Sequence, residues 1–216
     1  MSITDWRVNK QITDYILHVE QRCRDTGVEL RLVDNTFVGE GEIKCAGYFD
    51  SENLILAAAT VDIQEPSRWV TLLAHEANHL EQWAEDCEIW KATAIGDYDA
   101  YVIWDMWLNN VIELNDSQLY DYTKRCLNVE KDCEIRTVET IKNWNLPFDI
   151  DEYTQRSNAY ILQYQFCRKF RKWNIPGKAP SSLVEVYSKL STKFDMDYYD
   201  YLPPDIEQLF MPSFFE

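Results

Sequence analysis

The chain has 216 residues and a mass of 25.6 kDa; 46% of the residues are hydrophobic and 27% are charged, a composition that supports a sizeable core and excludes intrinsic disorder. With 37 acidic against 21 basic residues, the net charge of −16 disfavours nucleic acid and anionic membrane surfaces as partners. We expect neither a secretory signal nor a transmembrane helix, because no uncharged apolar run reaches about 18 residues.

The first 65 residues predict one helix followed by a small sheet. Apolar residues recur at helical spacing over residues 5–26, and the pattern stops at Gly27. The period then changes, and three strands are predicted over 28–33, 43–49 and 54–60. A turn-like segment, residues 50–53, joins the second and third of these strands.

From Pro66 onward the sequence predicts helices. Their expected ranges are 67–90, 98–113, 115–143, 151–173 and 181–194. Residues 194–216 form an aromatic, acidic tail that either caps the helical lobe or folds over a cleft. One helix, a small sheet and then a helical lobe predict an α+β fold in a single domain, subdivided into 1–65, 66–193 and 194–216.

Two of the three histidines lie four residues apart, in the sequence His75-Glu76-Ala77-Asn78-His79. On a helix, residues four apart share one face at a distance of about 6 Å, so both imidazoles can bind one Zn²⁺ ion. Glu76 projects beside the metal, where it can take a proton from the water that zinc activates. The pattern HExxH therefore predicts two zinc ligands, His75 and His79, and a general base, Glu76.

A third ligand has to come from elsewhere in the chain. His18 lies far upstream, and Glu85, six residues after His79, points away from the metal on a continuing helix. Glu130 and Glu134 share one face of a later helix, with the small residues Cys133 and Thr137 beside them. We therefore expect one of the two glutamates to bind zinc and the other to support a histidine; the alternative is an exposed acidic pair.

These two motifs resemble those of known metallopeptidases. The chain resembles the gluzincins, in which HExxH is followed downstream by a glutamate and, four positions later, by a second acidic residue. That second residue is usually Asp in gluzincins, and here it is Glu134. Segments 73–83 and 129–136 look like metallopeptidases encoded by tailed bacteriophages, over roughly residues 28–173. The resemblance implies a zincin-like fold, a viral protein and a bacterial host cytoplasm as its location, with the virion as the alternative location.

Two further expectations follow from peptide hydrolysis. An oxyanion needs a hydrogen-bond donor besides the metal, and with the histidines already assigned Tyr160 is our candidate, four residues before Tyr164. The substrate would be a peptide or protein that adds a strand to a sheet edge, either along 44–49 or along 54–57.

The sequence thus predicts a zinc-dependent metallopeptidase-like hydrolase, with Glu76 as general base and with His75, His79 and Glu130 (or Glu134) as metal ligands. The alternative is a non-catalytic protein of the same fold that acts as a binding or virion component. Six cysteines without a CxxC pair predict thiols rather than disulfides, in keeping with a reducing cytoplasm.

Overall fold

A computed structural model describes residues 9–39, 45–60, 66–195 and 199–215. The chain forms two compact units, which we call the sheet unit (Met1–Cys87 and Arg136–Phe148) and the helical unit (Glu88–Ile135 and Asp149–Glu216). Together they have the α+β composition that the sequence predicts. The single zincin-like domain stays a prediction, because compact units are not by themselves separate folding domains.

The sheet unit begins with helix α1 (Lys10–Thr26). The side chain of Asn9 caps its first turn by accepting a hydrogen bond from the backbone N–H of Ile12. Gly27 ends the helix in the left-handed conformation, with φ of 74°, which confirms the predicted stop. Residues 5–8 of the predicted helix lie outside the described residues.

The three predicted strands form one mixed sheet: β1 (Glu29–Val33), β2 (Gly47–Asp50) and β3 (Ile55–Ala59). The strand order is β1-β3-β2, with β3 parallel to β1 and antiparallel to β2. The Asp50 side chain accepts hydrogen bonds from two backbone N–H groups of the turn between β2 and β3. Since β3 pairs on both sides, the prediction that residues 54–57 offer a sheet edge is wrong; β2 lies at an edge of the described sheet.

Helix α2 (Pro66–Ala84) packs on strands β2 and β3. Strand β3 supplies a run of almost fully buried small and apolar residues, Leu56 to Ala59, as a strand covered on both faces requires. The predicted helix extended to residue 90, but α2 ends at Ala84 because Asp86 takes a left-handed conformation, with φ of 51°.

The helical unit contains the other elements of the described chain. In chain order they are α3 (Glu88–Lys91), the two-stranded hairpin β4 (Ala94–Ile95) and β5 (Tyr98–Asp99), α4 (Ala100–Leu108), α5 (Asp116–Asn143), α6 (Ile150–Phe170), a 3₁₀ turn (Pro180–Ser182), α7 (Val184–Tyr187) and α8 (Pro204–Phe214). Only the part of α5 up to Ile135 belongs to this unit, and its last two turns belong to the sheet unit. One unbroken helix therefore supplies residues to both units.

The single helix predicted over 181–194 is wrong, since that range contains only the end of the 3₁₀ turn and the short helix α7. Side-chain amides of α6 take the backbone carbonyls that such a helix would use. Gln155 donates to the carbonyl oxygens of Ser188 and Leu190, and Asn158 donates to those of Ser191 and Lys193. Tertiary hydrogen bonds thus replace helical ones at this position.

The C-terminal part of the tail packs into the core of the helical unit. Helix α8 places Phe210 and Phe214 against Phe166 of α6, with ring centroids 6.2 and 4.0 Å apart. All three side chains are fully buried. Residues 204–215 therefore extend this core, in agreement with the capping alternative.

Neither unit contains, within its described residues, a helix with the length and hydropathy needed to cross a bilayer. The six cysteines all lie in described residues, and none of them forms a disulfide. This confirms the prediction of thiols.

Gly47 of β2 packs closely against Leu72 of α2, and this contact leads to a prediction about stability. A Cβ atom there would lie 3.1 Å from the backbone oxygen of Ala57 and 3.1 Å from two side-chain carbons of Leu72. We expect Gly47→Ala to lower the free energy of unfolding by about 1–3 kcal/mol, measured by urea denaturation. In a Leu72→Ala background, Gly47→Ala should lower the free energy of unfolding by a smaller amount. An equal loss in both backgrounds would show that the new methyl group does not clash with Leu72.

Candidate metal centre

Helix α2 brings His75 and His79 together on one buried face. Their Nε2 atoms lie 3.1 Å apart, and their rings meet nearly at right angles with centroids separated by 4.6 Å. Both residues are more than nine-tenths buried. The pairing predicted from the spacing is therefore present, with a ring nitrogen of each residue directed at the other.

Gln82, one turn further along α2, fixes the orientation of His79. Its side-chain oxygen lies 2.8 Å from Nδ1 of His79. An amide oxygen only accepts hydrogen bonds, so Nδ1 carries the proton and Nε2 presents its lone pair. Metal-binding histidines in proteins are usually held by such a hydrogen bond at their second nitrogen.

The donor set fits a metal ion. Two imidazole nitrogens that bind one tetrahedral Zn²⁺ at 2.0–2.1 Å are separated by about 3.3 Å. The 3.1 Å between the two Nε2 atoms is close to this value. Imidazole also suits copper, iron and nickel, so the pair by itself defines a site for a transition metal rather than for zinc alone.

Glu76, which follows the first histidine, is more than nine-tenths buried beside the pair on α2. Its carboxylate influences Cys45, which lies just before strand β2: burial raises the pKa of the Cys45 thiol, and the charge of Glu76 raises it further. The Cys45 thiol, two residues before β2, therefore lies within electrostatic range of the Glu76 carboxylate.

Other faces of α2 are held in place by polar contacts. Glu81 forms a bidentate ion pair with Arg22 of α1, at 2.6 and 2.7 Å. Asn78 donates to Thr137 and Thr140 of α5, at 3.1 and 3.3 Å. The charge of Glu81, unusual after an HExxH pattern, thus fixes α1 to α2, while Asn78 fixes the last turns of α5 to α2.

Glu130, a predicted third ligand, lies in the helical unit, where it is only 4% exposed. Its Oε1 atom accepts hydrogen bonds from Tyr101 of α4, at 2.9 Å, and from Tyr164 of α6, at 3.2 Å. Burial raises the pKa of both tyrosines well above their usual value, and the charge of Glu130 raises it further. Both phenols therefore stay protonated as donors to the carboxylate.

Glu134, the other predicted ligand, is 5% exposed and is held by a second pair of hydroxyls. Its Oε2 atom accepts from Tyr153 at 2.5 Å and from Ser157 at 2.7 Å, both on α6. The alternative of an exposed acidic pair at 130 and 134 is therefore wrong. The choice of Glu130 or Glu134 as a metal ligand stays a prediction.

Tyr160, the predicted oxyanion donor, lies half-buried on α6. Its hydroxyl is 3.3 Å from that of Tyr164, which in turn donates to Glu130. The two tyrosines and the glutamate thus form one hydrogen-bonded chain within the helical unit. The catalytic role of Tyr160 stays a prediction.

Several residues of the site were not predicted from the sequence. Gln82 had a usable signal, since it lies three residues after His79 and therefore on the same face of the helix. The sequence contains no such signal for Tyr101, Tyr153 and Ser157. Their partners, Glu130 and Glu134, lie on another element, 19 or more residues away.

Comparisons of the chain with protein-family models, with curated proteins and with solved structures found no match. The resemblance described above therefore depends on the residues of α2 and α5 alone.

Gln82 provides a test of the metal centre. We expect Gln82→Leu to weaken zinc binding by about 10–100-fold, because His79 loses the acceptor that orients it. Gln82→Glu, which keeps an oxygen acceptor of the same length, should retain most of the affinity. Equilibrium dialysis against a zinc chelator measures both variants, and equal affinities for Gln82→Leu and the unmodified chain would contradict the assignment.

The tyrosines around Glu130 give a prediction about pH. The pKa values of Tyr101 and Tyr164 are raised in the folded chain, so the stability they contribute is complete below the unfolded value of about pH 10 and is lost as the pH rises further. Tyrosinate absorbance should show two phenols that ionise late in the native protein but not in urea. Tyr164→Phe should remove one of them; simultaneous ionisation of all tyrosines near pH 10 would contradict the prediction.

Proposed function

We propose that this protein is a metal-dependent hydrolase of peptide bonds with a zincin-like arrangement, in which His75 and His79 hold a zinc ion. The observation that carries the proposal is the 3.1 Å approach of two buried imidazole nitrogens on adjacent turns of α2, with a buried carboxylate, Glu76, between them in sequence. A shared metal ion is the ligand that the chemistry of two imidazoles and the separation of their nitrogens fit.

The role of Glu76 follows from its place on the helix. It is rotated by about 100° from His75, so it flanks the metal-binding face without pointing along it. In that position a carboxylate can hold the attacking water and accept its proton. When bound, zinc would lower the pKa of a water toward 7 and polarise the carbonyl of the substrate.

The third ligand is proposed to come from α5, where Glu130 and Glu134 are the candidates given by the gluzincin resemblance. Each carboxylate is held on one oxygen by two hydroxyls of the helical unit. Such hydrogen bonds fix a carboxylate in one orientation, as is usual for metal ligands and for residues that support them. Tyr160 is proposed to stabilise the oxyanion through the same chain of hydroxyls.

An extended peptide or protein segment is the proposed substrate, and β2 is the proposed docking strand. This strand lies at an edge of the described sheet, and the carboxylate of Glu76 acts electrostatically on Cys45, two residues before it. Backbone hydrogen bonds to such an edge recognise extended chains with little regard to their sequence. A bacterial host cytoplasm is the proposed location, from the likeness to phage-encoded metallopeptidases.

Glu76→Gln tests the proposal most simply. We expect the variant to keep its full complement of zinc, measured by mass spectrometry of the metal, and to lose about 10²–10⁴-fold in the rate of cleavage of a fluorogenic peptide library. Glu139→Gln, the same change at an exposed glutamate of α5, should leave cleavage unchanged.

Loss of zinc from Glu76→Gln would show that Glu76 is structural rather than a base. A purified chain that binds no zinc would contradict the proposal as a whole. Stoichiometric zinc without cleavage of any library member would instead favour a non-catalytic binding or virion component.

A further inference from the structure

We infer that the sheet unit contains a second binding site, which takes a primary ammonium group such as the end of an alkylamine or of a lysine side chain. The site is a cavity of about 50 Å³ between α1, α2 and the end of α5. His75, His79 and Glu76 are not among the described residues that line it, so the site is separate from the proposed metal centre. One water molecule needs about 10–15 Å³ of such space, so the cavity has room for a small polar group.

The wall of the cavity contains an unused hydrogen-bond acceptor on Asn78, a residue that is 8% exposed. Its Nδ2 atom donates to the carbonyl oxygen of Ala74, at 2.8 Å, and to the hydroxyls of Thr137 and Thr140. Because a carbonyl oxygen only accepts hydrogen bonds, these contacts fix which end of the amide is the nitrogen. Within the described chain, Oδ1 of Asn78 accepts no hydrogen bond. A ligand that fills the cavity therefore has to offer a donor to this oxygen.

Aromatic rings form another part of the wall. Tyr15 and His18 of α1 line the cavity together with Trp144, which directly follows α5. The ring centroid of Trp144 lies 5.5 Å from that of Tyr15 and 4.8 Å from that of His18. Tyr15 is almost completely buried, whereas His18 is exposed. Aromatic rings attract cations, and tryptophan does so most strongly, so this wall favours a positively charged donor.

The charged residues of the cavity also favour a cation. Arg22 and Glu81 line it, and their bidentate ion pair neutralises the guanidinium. Each carboxylate oxygen accepts one hydrogen bond from Arg22 and keeps a further lone pair. An ammonium group can donate to Glu81 as well as to Asn78, whereas an anion would meet the lone pairs of both. The net charge of −16 raises the concentration of cations around the chain.

The number of donors selects the kind of ammonium group. A primary ammonium has three N–H donors, which is enough for Asn78, Glu81 and the hydroxyl of Thr140, another lining residue. A quaternary ammonium has no donor and would leave Oδ1 of Asn78 without a partner. Free alkylamines and lysine side chains end in the same primary ammonium, so the cavity suits both.

Titration of the full-length protein with n-butylammonium, followed by ¹H–¹⁵N NMR of the side chains, tests the inference. The amide of Asn78 and the indole N–H of Trp144 should shift together and saturate, with millimolar affinity for a ligand of this size. The indole of Trp104, which does not line the cavity, should not shift. Nα-acetyl-lysine methylamide separates the two sources: tighter binding than n-butylammonium would indicate the lysine side chain of a partner, and weaker binding a free amine.

Two variants that break the same ion pair give a matched comparison. Arg22→Gln leaves the Glu81 carboxylate unopposed and should bind n-butylammonium about 2–5-fold more tightly, whereas Glu81→Gln should bind it about 2–5-fold more weakly. Both variants lose the same bond between α1 and α2, so a shared effect on folding cannot produce opposite changes. Trp144→Leu, followed at the Asn78 amide, should weaken binding by about 2–5-fold.

The titrations can also contradict the inference. If n-butylammonium shifts neither the Asn78 amide nor the Trp144 indole, the site is overturned. Weaker binding by Arg22→Gln together with tighter binding by Glu81→Gln would show that the cavity prefers an anion, and would overturn the ammonium group as its ligand.

Discussion

The close approach of His75 and His79 is the constraint on which the rest of the candidate centre depends. Two imidazoles with their Nε2 atoms 3.1 Å apart must share a proton or a metal ion, because two lone pairs or two N–H groups at that distance repel. Gln82 sets the tautomer of His79, since its side-chain oxygen accepts a hydrogen bond from the N–H at Nδ1. The spacing of the pair and the tautomer of His79 are therefore set by side chains within two turns of α2.

Around this pair, α2 is held on three sides. Strands β2 and β3 cover one side, Arg22 of α1 pairs with Glu81 on another, and the last turns of α5 bond to Asn78 on a third. Each contact is a specific packing or hydrogen-bonding interaction, so the face that carries the histidines has little freedom to rotate. Rigid placement of this kind is what a metal centre needs from its scaffold.

Local patterns predicted much of the fold. The stop of α1 at Gly27, the pairing of β2 with β3 and the full length of α5 all follow from signals within a few residues. The errors arose where distant residues decide. The missing helix after residue 187 depends on amides of α6, and the central position of β3 depends on a parallel pairing with β1, which no local signal encodes.

The same division holds for the candidate centre. HExxH lies within one turn, so the sequence predicted its geometry, and the structure confirms that the histidines meet. The hydroxyls that hold Glu130 and Glu134 come from helices distant in sequence, and they could not have been predicted.

Long-range ¹H–¹⁵N NMR of the three histidine side chains tests the central claim most directly, since it reports the protonation and metal contact of each ring nitrogen. On addition of zinc, Nε2 of both His75 and His79 should shift to the metal-bound range, while Nδ1 of His79 keeps its proton. His18 of α1, which packs against Trp144, is the internal control and should not change. Spectra of His75 and His79 that zinc leaves unaltered would contradict the account.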